Sequence, residues 1–172
     1  MLKARPLLVH SLEGLRSQDH AFRLSAAKQV RACVLAEMRD GTTESFSAFL
    51  TELNRRIFEL VSSSSADHTI GGILAIDALI DVPLEQNDKI IRFANYLRMV
   101  FSSSTKKSGG HRSSKADAKD ASKNSMSSSN AFDGSSTNAD SLALRLAARA
   151  LGHLARSGGS LTVDFVEFEV AN

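Results

Sequence analysis

Tryptophan is absent from these 172 residues, proline occurs twice and cysteine once. A lone cysteine cannot close an internal disulfide, which agrees with a reducing compartment, and we expect a cytoplasmic chain. With two prolines, long stretches contain nothing that breaks a helix. No apolar run approaches the ~20 residues that span a bilayer. Leu7-Leu8-Val9 is interrupted by His10 too soon to form the core of a signal peptide. An excess of one charge is also missing: 21 basic residues face 19 acidic ones, a net of +2. That balance gives no reason to expect nucleic acid or a membrane surface as partner. The apolar content, 42%, is ordinary, and the length suffices for one domain with a real core.

The chain is organised around residues 57–82, IFELVSSSSADHTIGGILAIDALIDV. Phe46, Phe49, Leu50, Leu53, Ile57 and Leu60 recur at three- and four-residue steps and line one helix face. Ser62 to Ser65 stop that helix, because serine hydroxyls compete for backbone hydrogen bonds. Asp67 is placed to cap the next helix, where a carboxylate meets free N–H groups and the positive end of the dipole. Ile70, Ile73, Leu74, Ile76, Leu79 and Ile80 cover most of that second helix. So broad an apolar surface demands cover on more than one side, hence neighbouring helices beyond its own hairpin partner.

Earlier in the chain, Pro6 suits a first helical position and Leu7, Leu8, Leu12 and Leu15 make a short amphipathic helix. After a turn at Ser17 to Asp19, Phe22, Ala26, Val30, Val34 and Met38 mark the face of a long one. Gly41 is expected to end it in the left-handed conformation, and Thr43 to cap its successor. Asn87 or Asp88 opens a fifth helix with Ile90, Ile91, Ala94, Leu97 and Phe101 inward. From 102 to 138 serine dominates and aliphatics almost vanish. Such a segment buries too little to offset an ordering cost of ~1–2 kcal/mol per residue, so disorder is expected. Helical periodicity returns at Leu142, Leu144, Leu146, Ala147, Ala150, Leu151 and Leu154, and Gly158-Gly159 stop it. The tail alternates like a strand from Leu161 to Phe165. It also fits a helix capped by Thr162, which we prefer.

Three helices share a pattern. FRLSAA at 22–27 resembles LRLAAR at 144–149, and IGGILA at 70–75 holds the same place in its own helix. The first two copies lie about 48 residues apart and the next about 74, or about 38 once the serine-rich segment is set aside; helix-pair repeats recur every ~40–47 residues. The expected fold is therefore all-α, a HEAT/armadillo-like α-solenoid of stacked antiparallel helix pairs. HEAT repeats occupy 1–101, with pairs at 6–40 and 44–82 and the first helix of a third pair at 87–101. An insertion at 102–138 separates this helix from its mate, and 139–172 supplies the mate and the start of another repeat. Gly71 and Gly72 each cost ~1 kcal/mol against alanine inside a helix, which close approach of a neighbouring helix would offset.

Residues 57–80, IRFANYLR (91–98) and ARALGHLARSGGSLTVDFVEFEV (148–170) together resemble the N-terminal region of the target-of-rapamycin (TOR) serine/threonine protein kinases. The resemblance covers nearly everything from Leu12 onward except the serine-rich insertion, which departs from the family pattern. It implies a curved HEAT solenoid distant from the catalytic domain, serving nutrient and growth signalling. The partners it implies are a large Raptor-type regulatory subunit and the rest of the kinase chain. It also implies places at endomembrane surfaces and in the nucleus besides the cytoplasm. The glycine-rich loop, HRD and DFG elements of phosphoryl transfer are absent, so this chain reads as non-catalytic scaffold, a fragment of a longer parent. The alternative is a stand-alone HEAT or armadillo adaptor of a transport or phosphatase complex. The last repeat, uncapped, is expected to favour self-association.

No residue qualifies as catalytic, cofactor-binding or metal-binding. Cys33 lies near the inward face of its helix and reads as a packed, inert thiol. His10, His20, His68, His111 and His153 lack metal-ligand spacing. No serine sits in a G-x-S-x-G elbow. Arg23 and Arg145 hold equivalent places and are expected to pair with the turn acids Asp19 and Asp140; a basic ladder for an acidic partner is the other reading. Asp164, Glu167 and Glu169 read as a solvated strip. Lys106, Lys107, Arg112, Lys115, Lys119 and Lys123 make the insertion basic, a tolerated surface loop in the plain reading and a nuclear-import or phosphorylation segment in the functional one.

Overall fold

The computed structural model describes residues 4–108 and 134–158. Six helices follow in order: α1 (Ala4–Gly14), α2 (His20–Asp40), α3 (Thr43–Val61), α4 (Ala66–Leu79), α5 (Gln86–Ser108) and α6 (Gly134–Gly158). No strand occurs among the described residues. α1 packs on α2, α3 on α4 and α5 on α6, while α4 also packs between α2 and α6. The result is an α-solenoid with α2, α4 and α6 in one layer and α1, α3 and α5 in the other.

α4 earns its central place by composition: nine of its fourteen residues are buried, including Ile70, Ile73, Leu74, Ile76 and Leu79. The two glycines let neighbours come close. A Cβ on Gly71 would stand 1.9 Å from the Leu15 carbonyl oxygen, at the corner between α1 and α2. A Cβ on Gly72 would stand 2.7 Å from Val61 Cγ2 on α3. Bulky side chains fill the other layer instead, where α3 and α5 meet through Phe58 and Tyr96, ring centroids 5.5 Å apart.

The turn that opens α4 differs from the expectation. Asp67 does not cap it: the N-cap is Ser65, without a side-chain cap bond. Ser63 organises the turn, accepting from the Ser65 N–H at 3.2 Å, and Thr69 Oγ1 donates to the Ser65 carbonyl at 3.1 Å. Ser62 ends α3 as expected, its hydroxyl donating to the Phe58 carbonyl at 2.7 Å. Thr42 rather than Thr43 caps α3, accepting from the Ser45 N–H. Gly41 is extended (φ −84°, ψ 157°), not left-handed. Its missing side chain serves space, since a Cβ would lie 2.5 Å from the Glu37 carbonyl oxygen.

The apolar stripes hold at their centres and peel at their ends. In α2, Ala26, Val30 and Val34 are buried, whereas Phe22 and Met38 are exposed. Leu7 of α1 and Ile91 of α5 also face out; on α5, Ile90, Ala94 and Leu97 are buried as expected, joined by Phe93 and Val100. A helix longer than its neighbour's contact patch leaves its terminal turns uncovered. α5 begins at Gln86 and reaches Ser108, and α6 begins at Gly134, so both enter the serine-rich segment. Residues 109–133 and 159–172, with the tail and its acidic strip, lie outside the described residues.

Candidate protein-interaction surfaces

Charged groups tie the repeats together. Arg23 is buried (3% exposed), and its Nη1 donates to the Ser17 carbonyl at 2.7 Å and to Asp67 Oδ1 at 2.6 Å. The expected partner, Asp19, is otherwise engaged: it caps α2 by accepting from the Ala21 N–H. Arg23 thus joins α2 to α4, a link across 44 residues invisible to local spacing. Arg145, at the equivalent place in α6, is exposed. The two arginines share a sequence position without sharing a role.

His153 joins α4 to α6. Its Nδ1 lies 2.9 Å from Asp77 Oδ1 and its Nε2 3.0 Å from Asp81 Oδ1, with Ser157 Oγ donating to Asp81 at 3.3 Å. The ring stands between the carboxylates, each nitrogen facing a different one, so the three do not converge on one point as ligands of a single ion must. Among the described residues no group of three or more His, Cys, Asp or Glu is arranged for a metal. His68 instead meets the Ser63 hydroxyl at 3.2 Å.

Lys89 was not singled out by sequence reasoning. Its stem is buried and its ammonium donates to the carbonyls of Ile80 and Val82 at 2.7 and 2.9 Å. It closes the C-terminal end of α4, where carbonyls lack intrahelical donors and the dipole favours a cation. Burial pushes its pKa down, and nearby Asp81 pulls it up. A lysine in the first turn of the next helix was the available signal. Cys33 is buried and burial raises its pKa, the opposite of an activated thiol.

The outer layer opens where α3 and α5 diverge, leaving a groove of about 370 Å³. Phe46, Leu50, Leu84 and Phe93 provide its apolar lining; Thr51, Asn54, Glu85, Asp88 and Arg92 add polar groups. The lining offers apolar contact and hydrogen bonding to a side chain of a partner.

Stacked helix pairs packed through a shared central helix place the chain in the class of helical-repeat proteins. Within that class it is a TOR-related segment. The serine/threonine-protein kinase tor1 of Schizosaccharomyces pombe is 33% identical over 157 residues, and TOR2 of Saccharomyces cerevisiae 33% over 159, each match covering 91% of this chain. The TOR kinase of Oryza sativa subsp. japonica is 29% identical over 166 residues, again 91% of the chain. The chain spans about 5% of the length of these curated relatives. No family model and no solved structure matches it. No helix among the described residues is long and apolar enough to cross a membrane.

Proposed function

We propose that this chain is a non-catalytic HEAT scaffold, equivalent to the N-terminal repeats of a TOR kinase, which presents helix faces to a Raptor-type regulatory subunit in the cytoplasm. The observation that carries the reading is the similarity to TOR kinases along 91% of the chain, joined to a fold whose charged groups serve the junctions between helices. The repeats are the pairs α1–α2, α3–α4 and α5–α6, with the serine-rich segment, 102–138 in the sequence reading, inserted inside the third. Phosphoryl transfer then belongs to other parts of a longer kinase. The test is recovery of the Raptor-type subunit by the full-length kinase with and without these residues. Loss of recovery on deletion is expected; unchanged recovery would overturn the proposal.

A further inference from the structure

The face of α2 turned away from α1 carries a pattern that packing does not use. Ala26 meets Gly14 of α1, and Leu24, two residues earlier, lies about 200° round the helix at 3.6 residues per turn. From Leu24 the three- and four-residue steps run through Lys28, Arg31, Leu35 and Met38, all exposed. Leu24, Leu35 and Met38 keep 39%, 37% and 37% of their surface in solvent. Lys28 and Arg31 lie between them with no carboxylate partner among the described residues.

The acids nearby are already engaged. On α2, Glu37 is buried and accepts from the Ser45 hydroxyl, and Asp40 pairs with Arg39. On α4, Asp67 is held by Arg23 and Asp77 meets His153 Nδ1; Asp81, just past the end of α4, meets His153 Nε2. On α6, beyond α4, the exposed Arg149 pairs with Asp77 at 4.0 Å. These acids thus have partners within the fold, whereas Lys28 and Arg31 have none among the described residues.

We propose that this face of α2, beside α4, is a docking site for an acidic amphipathic helix of a partner protein. Apolar residues of that helix would lie on Leu24, Leu35 and Met38, and its Glu or Asp side chains on Lys28 and Arg31. Charge selects the partner, since a basic or neutral helix gains nothing from the two cations between the apolar contacts. The site deepens the scaffold reading above and rests on it for its biological setting, not for its chemistry.

The test is a fluorescence-anisotropy titration of the 172-residue chain with a labelled synthetic helix. The peptide carries leucine at three- and four-residue steps flanked by glutamate; a twin carries lysine for every glutamate. The acidic peptide should bind, the basic twin should not, and added salt should weaken the complex. The double variant K28E/R31E should weaken it at least about tenfold. Because both side chains are exposed, circular dichroism should show the variant folded. L35S should weaken binding while leaving its salt dependence in place. Equal binding of both peptides, or indifference to K28E/R31E, would overturn the proposal, as would a labelled RNA displacing the peptide. If deletion leaves recovery of the regulatory subunit unchanged while the acidic peptide still binds here, the scaffold reading falls and this site stands; the reverse pattern separates them the other way.

Discussion

Gly71→Ala should destabilise this protein even though alanine is the better helix former. The added Cβ would sit 1.9 Å from the Leu15 carbonyl oxygen and 2.8 Å from its carbon, against the 3.4–4 Å of ordinary contact. Both are backbone atoms, so no rotamer change relieves them. Either α4 or the α1–α2 corner must retreat by about 1–1.5 Å, loosening the seam through Ile70 and Leu74. Overpacking of this kind costs ~1–3 kcal/mol, from which a propensity gain of ~1 kcal/mol is subtracted. Because both obstacles are backbone atoms, the overpacking cost should fall at the upper end, about 2–3 kcal/mol, leaving a net loss of about 1–2 kcal/mol, or roughly 2–8 °C in Tm for a domain of this size. Urea unfolding followed by circular dichroism measures it, with a fall in midpoint at unchanged slope as the signature. Gly72→Ala provides the graded comparison: its nearest obstacle is the Val61 Cγ2 methyl at 2.7 Å, the end of a side chain, so the loss should be smaller. Gly152→Ala provides the control. Its nearest neighbour is Arg156 Nη1 at 3.6 Å, and it should gain up to about 1 kcal/mol. If Gly71→Ala proved as stable as the parent, the close approach of α4 to Leu15 would be refuted.

Three further outcomes concern the charged groups. A double-mutant cycle of Arg23→Ala and Asp67→Asn should yield a coupling of about 1–2 kcal/mol by urea unfolding, since the arginine is buried and the aspartate half-exposed; additivity would mean the pair links nothing. Lys89→Met should cost about 2–3 kcal/mol in the same assay, because it strips two charge-assisted donors from the buried end of α4; a neutral effect would show those carbonyls satisfied otherwise. On α3, the Arg55 and Arg56 guanidiniums hold the Glu52 carboxyl down to about 2, from an ordinary 4.5. The folded state therefore binds this proton less readily than the unfolded one. Glu52's contribution is fully present above about pH 4.5 and is lost as pH falls toward 2. Stability against pH for wild type and Glu52→Gln should converge over that window; parallel curves would contradict the sign.

The sequence by itself determined the class of the fold, because helical periodicity is a local property. Phe49, Leu53, Ile57 and Leu60 stood at three- and four-residue steps and are buried. The apolar circumference of α4 required cover on several sides, and the structure supplies α2, α3 and α6. Gly71 and Gly72 pointed to close approach for the same reason: a costly residue inside a helix needs a compensating neighbour. Tertiary structure alone decided the partners of the charges. Arg23 looked adjacent to Asp19 but bonds to Asp67, and His153 looked idle but stands between Asp77 and Asp81. Ion pairing depends on which helices are laid side by side, and nothing in the spacing along one helix records the angular position of the next. The same holds for Lys28 and Arg31. Their exposure is readable as ordinary surface, and their lack of partners emerges only once the acids of α4 are seen to be engaged from within the fold.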